Sequence, residues 1–156
     1  MKESAGGAGN KPGSRASIIS MVFQLDHIGI VVESLEQAVP LWCGMLGFPA
    51  ESVEYHEVPA EGVRIAMLQG NIKLELLEAT DPQGSVQRFL EKRGGGLHHL
   101  CFATGSADEA HARLSEAGYQ LLSDAPLNGA EGRVFFIHPR SASGVLSEMV
   151  ELEEAE

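Results

Sequence analysis

The stretch Leu25-Asp26-His27-Ile28-Gly29-Ile30-Val31-Val32-Glu33-Ser34 decides the fold, because it returns later as Leu97-His98-His99-Leu100-Cys101-Phe102-Ala103-Thr104-Gly105-Ser106. His27 falls on His99 and Ser34 on Ser106; the same offset lays Ala38 on Ala110, and one further residue brings Glu75 onto Glu148 and Glu78 onto Glu151. Repetition at a fixed offset means two copies of one structural unit. In each copy a short strand (24–32, then 98–103) leads into a helix that opens on a capping-box pattern, Ser34 with Gln37 and Ser106 with Glu109. The helices end at Gly47 and Gly118, and their apolar residues recur at helical spacing: Leu35, Ala38, Val39, Trp42 and Leu46, then Ala110, Leu114 and Ala117. Strand-like runs follow at 53–58, 63–69 and 72–78, and again at 119–123, 132–138 and 145–151. The fold class is therefore α+β, two βαβββ modules forming a curled mixed sheet around a shared hollow. Pro40 conflicts with the first helix and predicts a late start or a kink there.

Working outward, residues 1–21 read as a disordered leader of Gly, Ser, Ala, Asn and Lys, and 22–152 as a single domain with modules at about 22–80 and 97–152. Between the modules lie the turn Asp81-Pro82-Gln83-Gly84, a short helix with Val86, Phe89 and Leu90 on one side, and the run Gly94-Gly95-Gly96; 153–156 is an acidic tail. A chain of 156 residues with 44% hydrophobic content has material for one core. Its formal net charge of -11 is the wrong sign for a nucleic-acid or anionic-membrane surface, so an anionic ligand needs local cations. Cys43 and Cys101 are too few for a disulfide framework and sit in apolar segments, which reads as a reducing, cytoplasmic setting. No apolar run approaches the roughly 20 residues of a membrane-spanning helix.

Strand parity places His27 with Gly29 and Val31, His99 with Cys101 and Ala103, Glu75 with Lys73 and Leu77, and Glu148 with Leu146 and Val150. His98 is expected on the opposite face. Small residues beside each histidine leave room for a cavity. A carboxylate between apolar neighbours is costly to bury unless it is paired or metal-bound. Two histidines and two glutamates at matched repeat positions converge if the modules meet about a pseudo-two-fold axis. Imidazole with carboxylate suits Zn, Fe, Ni, Co or Mn and leaves positions open for water or substrate.

These motifs carry a family resemblance over about 22–152. Leu25-Asp26-His27-Ile28-Gly29-Ile30, Gly62-Val63-Arg64, Lys73-Leu74-Glu75-Leu76-Leu77-Glu78, Gly95-Gly96-Leu97-His98-His99, His138-Pro139-Arg140 and Gly144-Val145-Leu146-Ser147-Glu148 together resemble the methylmalonyl-CoA epimerases of the vicinal oxygen chelate superfamily. The resemblance implies that His27, Glu75, His99 and Glu148 hold a divalent cation such as cobalt, manganese, zinc or nickel. It implies an acyl-CoA substrate, a metal-stabilised enolate formed by proton abstraction at C2, Glu148 as one acid/base, and a homodimer. Arg140 stands where the family usually has lysine, and with Ser143 and Gly144 it offers a cation and backbone donors to the coenzyme A part. The second acid/base is not assigned: some relatives have a glutamate where this chain has Ile65, and Glu61, His98 or a metal-bound water are substitutes. A lactoylglutathione lyase-like isomerase, a ring-opening dioxygenase and a non-catalytic binding protein of the same fold are the competing functions.

Overall fold

The structure, a computed structural model, describes residues 23–153. The expected leader and the last residues of the tail lie outside them. The first module comprises β1 (Gln24–Val31), α1 (Leu35–Leu46), β2 (Glu54–Val58), β3 (Val63–Gln69) and β4 (Lys73–Ala79). A connecting helix α2 (Ser85–Arg93) leads into β5 (Gly96–Thr104), α3 (Ala107–Glu116), β6 (Leu127–Asn128), β7 (Arg133–Ile137) and β8 (Ser147–Glu151). All eight strands form one sheet in the order β2-β3-β4-β1-β5-β8-β7-β6. The order is palindromic about the antiparallel β1–β5 pair, with parallel β1–β4 and β5–β8 pairs on either side. Duplication in the sequence thus becomes a pseudo-two-fold arrangement in which the first strands of both modules meet at the centre.

The outer face of the sheet is covered by the two repeat helices. Leu35, Val39 and Cys43 of α1 pack on Ile30, Ala66, Leu68 and Leu76, while Ala107, Ala110 and Leu114 of α3 pack on Phe135 and Ile137. Residues of alternate parity form the inner face: Val31, Val63, Ile65, Met67 and Leu77 beneath Val86 of α2, and Cys101, Val134 and Val150 in the second module.

Helix starts follow the repeat in an unexpected way. Ser106 Oγ accepts the Glu109 amide at 3.3 Å, but Ser34 makes no side-chain cap. Instead, the Leu35 amide donates to Glu78 and the Ala107 amide to Glu151, each at 2.7 Å. Each module therefore uses the carboxylate of its last strand to satisfy an orphan amide and the positive end of its helix. Pro40 neither delays nor ends α1, which begins at Leu35. Pro40 and Glu36, the residue whose carbonyl loses its amide partner, are both on the exposed side.

The strand expected at 119–123 does not form. Leu121 makes a single bridge to Ile137, flanked by Leu122 N–H to Phe136 C=O and His138 N–H to Gln120 C=O. His111 Nε2 and the Ser123 carbonyl lie 2.8 Å apart, and the Ser123 hydroxyl turns back to Ala125 C=O ahead of Pro126, so the segment is tied to α3 and the edge strand becomes Leu127–Asn128. The run expected from 145 begins at Ser147, because Ser143 and Gly144 adopt left-handed φ values of 56° and 85° in the preceding turn.

Ser106→Ala is expected to destabilise the chain by about 1 kcal/mol, the usual value of a side-chain cap. Ser34→Ala, at the repeat-equivalent position without a cap bond, should cost a few tenths of that. Urea unfolding of the two variants checks the difference.

Candidate metal centre

The four central strands, β4, β1, β5 and β8, each contribute one side chain to a single inner-face cluster: Glu75, His27, His99 and Glu148, all buried. His27 Nε2 and His99 Nε2 lie 3.1 Å apart. Glu148 Oε2 is 2.9 Å from His99 Nε2 and 3.4 Å from His27 Nε2; Glu75 Oε2 is 3.3 Å from His27 Nε2, and its Oε1 is 3.7 Å from His99 Nε2. Ligand atoms about 2.1 Å from a common first-row ion stand roughly 3.0–3.4 Å from each other; the contacts among His27, His99 and Glu148 lie close to that spacing, whereas Glu75 reaches His99 Nε2 only at 3.7 Å and through its other oxygen. The donors of His27, His99 and Glu148 are mutually within 4.8 Å. Two imidazoles and two carboxylates suit a divalent transition ion.

Two bulges in the β1–β5 ladder explain how both imidazoles are aimed. Leu25 pairs with Phe102 and His27 with Cys101, so Asp26 is an extra residue on β1; Gly29 pairs with His99 and Ile30 with Leu97, so His98 is an extra residue on β5. The expectation that His98 points away from His99 is therefore corrected: the bulge breaks strict alternation and brings its Nδ1 to 2.8 Å from His99 Nδ1. Asp26, at the same place in the other module, has Oδ2 2.8 Å from His27 Nδ1. Each ligand-type histidine is thus gripped at Nδ1 by its own preceding residue, which fixes the ring with Nε2 inward. Lys73 extends the support on one side only, meeting Asp26 Oδ1 at 3.1 Å and also pairing with Glu131 from the second module.

Burial and charge act in opposition here. Burial works against a charged His27, yet hydrogen bonds with Asp26, Cys101 and Glu148 and the charge of Glu75 push its pKa up. Burial likewise opposes ionised Glu148, but hydrogen bonds from both histidines bring it down to about 2. Burial prevails at Glu75, whose pKa is raised. Burial and the charge of His99 drop His98 to about 4. A strongly basic imidazole between two buried carboxylates is an environment that positive charge stabilises, from a proton or from a metal ion.

The four converging side chains are legible in the sequence, whereas the roles of Asp26, Lys73 and His98 are not. The adjacent acid in Asp26-His27 was a usable signal, whereas the bulges leave no clear mark on the chain. Arg140, Ser143 and Gly144 are not among the clustered groups. They are exposed on the turn between β7 and β8, a few residues ahead of Glu148. Arg133, considered as a cation for the ligand, is paired with Asp108, its Nη2 3.0 Å from Oδ1.

This fold and cluster define a class of duplicated βαβββ proteins with an inner-face metal-type site. A family model described as the Glyoxalase/Bleomycin resistance protein/Dioxygenase superfamily matches residues 26–136. An uncharacterized protein, YqjC, from Bacillus subtilis is 38% identical over 82% of this chain and 91% of its own length. An ethylmalonyl-CoA/methylmalonyl-CoA epimerase from Cereibacter sphaeroides is 37% identical over 86% of this chain and 99% of its own. A solved methylmalonyl-CoA epimerase in complex with methylmalonyl-CoA and NH4+ superposes with a TM-score of 0.80 at 34% identity, covering 86% of this chain and 97% of that one. The chain belongs to the methylmalonyl-CoA epimerase family of that superfamily, a family of isomerases.

Gly29 faces His99 across the ladder, and a Cβ built on it would lie 2.1 Å from His99 Cε1. Gly29→Ala is therefore expected to displace the ring and weaken cobalt binding at least tenfold, whereas Gly44→Ala, with nothing within 4 Å, leaves it unchanged. Asp26→Asn should lower affinity by about 10–100-fold. Calorimetric titration with cobalt checks all three.

Proposed function

We propose that this chain interconverts the diastereomers of methylmalonyl-CoA, or of a close 2-alkylmalonyl-CoA, by moving the proton at C2. The observation that carries the reading is the buried convergence of His27, Glu75, His99 and Glu148 on the inner face. The names of the relatives support the substrate class. In this reading the four side chains hold one divalent cation, cobalt, manganese, zinc or nickel, which when bound supplies positive charge opposite the oxygens where negative charge develops.

Glu148 both faces the cluster and acts on substrate. Its Oε2 is drawn to both imidazoles, which leaves Oε1 to accept the C2 proton. Asp26 and His98 keep the imidazoles in register during the reaction, so the site does not reorganise as charge develops. The apolar inner face, with Ile65, Met67, Leu77 and Val150, limits water around the reacting carbon. In this reading Arg140, exposed with Ser143 and Gly144 on the turn before β8, receives the anionic coenzyme A portion. A homodimer and a cytoplasmic setting complete the proposal, the latter in keeping with two free, buried cysteines.

The test is deuterium incorporation. In heavy water, the metal-loaded chain should label C2 of methylmalonyl-CoA and interconvert its diastereomers; chelator treatment should abolish both until a divalent ion is returned. Absence of labelling by the loaded protein contradicts the epimerase reading, and labelling that survives complete metal removal contradicts the role of the four ligands. Turnover of a methylglyoxal–glutathione hemithioacetal in place of methylmalonyl-CoA would favour the lyase alternative.

A further inference from the structure

Inverting a carbon centre by proton transfer requires an acid/base on each face, and Glu148 supplies one. We infer that Glu61 is the other. This rests on the epimerase reading and completes it. Ile65, where some relatives carry a glutamate, is 1% exposed and packed among Val31, Val58, Val63, Met67, Leu77 and Val86, so that position offers no proton carrier.

Elimination among the ionisable groups around the cluster leaves one. Asp26 is committed to His27 and Lys73, and Lys73 to Asp26 and Glu131. Cys101 is fully buried, and burial pushes its thiol up to about 12. His98 spends Nδ1 on His99, and its ring packs edge-on against Phe89. Glu61 is half-buried and, among the described residues, its carboxylate has no hydrogen-bond or ion-pair partner.

Its placement is the second argument. The donor strands run β4-β1-β5-β8, with Glu148 on the last; β3 lies just beyond β4, and Glu61 ends the turn Pro59–Glu61 that enters it. In the order of the strands, Glu61 and Glu148 thus flank the two strands that carry His27 and His99. The following Gly62 adopts φ 65°, a conformation glycine accepts readily, and its carbonyl receives the Thr80 and Asp81 amides at 2.8 and 3.3 Å. Residue 61 is therefore held at a fixed point. The carboxylate senses the cluster: burial and the charges of Glu148 and Glu75, opposed by His99 and His27, raise its pKa to about 7. A group balanced near neutrality can both take and return a proton.

In one direction the C2–H bond breaks and its proton passes to ionised Glu148. The electron pair moves into the C1–C2 bond and the carbonyl π pair onto oxygen. Protonated Glu61 then delivers its proton to the opposite face as the enolate collapses; the reverse direction exchanges the two roles.

Glu61→Gln in the full, metal-loaded chain is expected to keep metal stoichiometry and thermal unfolding unchanged and to slow interconversion of methylmalonyl-CoA diastereomers by about 100-fold or more. Exchange of the C2 hydrogen in heavy water should persist for one separated diastereomer and vanish for the other, a pattern that a merely structural role does not produce. Glu61→Ala with added formate, a mobile carboxylate, should regain exchange on the lost face, which provides an independent readout if the glutamine variant folds poorly. Interconversion within a few-fold of the unmodified chain, equal loss of exchange from both diastereomers in a folded, metal-loaded variant, or no rescue by formate would overturn the assignment. If the unmodified chain exchanges neither diastereomer, the epimerase reading itself fails and the role of Glu61 falls with it.

Discussion

The antiparallel pairing of β1 with β5 is the constraint on which the site depends. It brings the first strands of two repeated modules side by side and sets the Nε2 atoms of His27 and His99 3.1 Å apart. Neither module can make that approach alone. The parallel partners β4 and β8 then add Glu75 and Glu148 from the two sides, so that two carboxylates and two imidazoles share a buried hollow. Their solvation is lost, and compensation must come from their mutual contacts and from positive charge between the carboxylates.

The repeat is followed even where the chemistry differs. Asp26 and His98 occupy equivalent bulges and grip equivalent Nδ1 atoms, one as a carboxylate linked to Lys73 and the other as an imidazole driven toward neutrality by burial. Glu78 and Glu151, three residues beyond Glu75 and Glu148, hold the starts of the two helices. One strand in each module therefore carries both a site carboxylate on the inner face and a helix-capping carboxylate on the outer face, which couples helix placement to site geometry.

Much of this was legible in the chain. Matched histidines and glutamates, alternation along strands and paired helix signals suffice for the module order and for the four converging side chains. The misses arise where local geometry departs from ideal periodicity. Bulges at Asp26 and His98 break the two-residue alternation that parity assumes, and no residue type announces them. The segment at 119–123 has strand-like composition, but Pro126 and the contact between His111 and Ser123 redirect it. The cap of α1 comes from Glu78, which is distant along the chain, rather than from Ser34 beside it. Such pairings are tertiary, and local propensity does not encode them.

Buried beside the four-residue cluster is a second grouping of metal-competent atoms, Asp26, His27 and Cys101, which shares His27 with the first. X-ray absorption of the cobalt-loaded chain at one ion per chain distinguishes the two directly. Coordination by His27, His99, Glu75 and Glu148 predicts a first shell of nitrogen and oxygen only, with the multiple-scattering signature of two imidazoles. A sulfur neighbour at about 2.3 Å, or a shell containing a single imidazole, would contradict it.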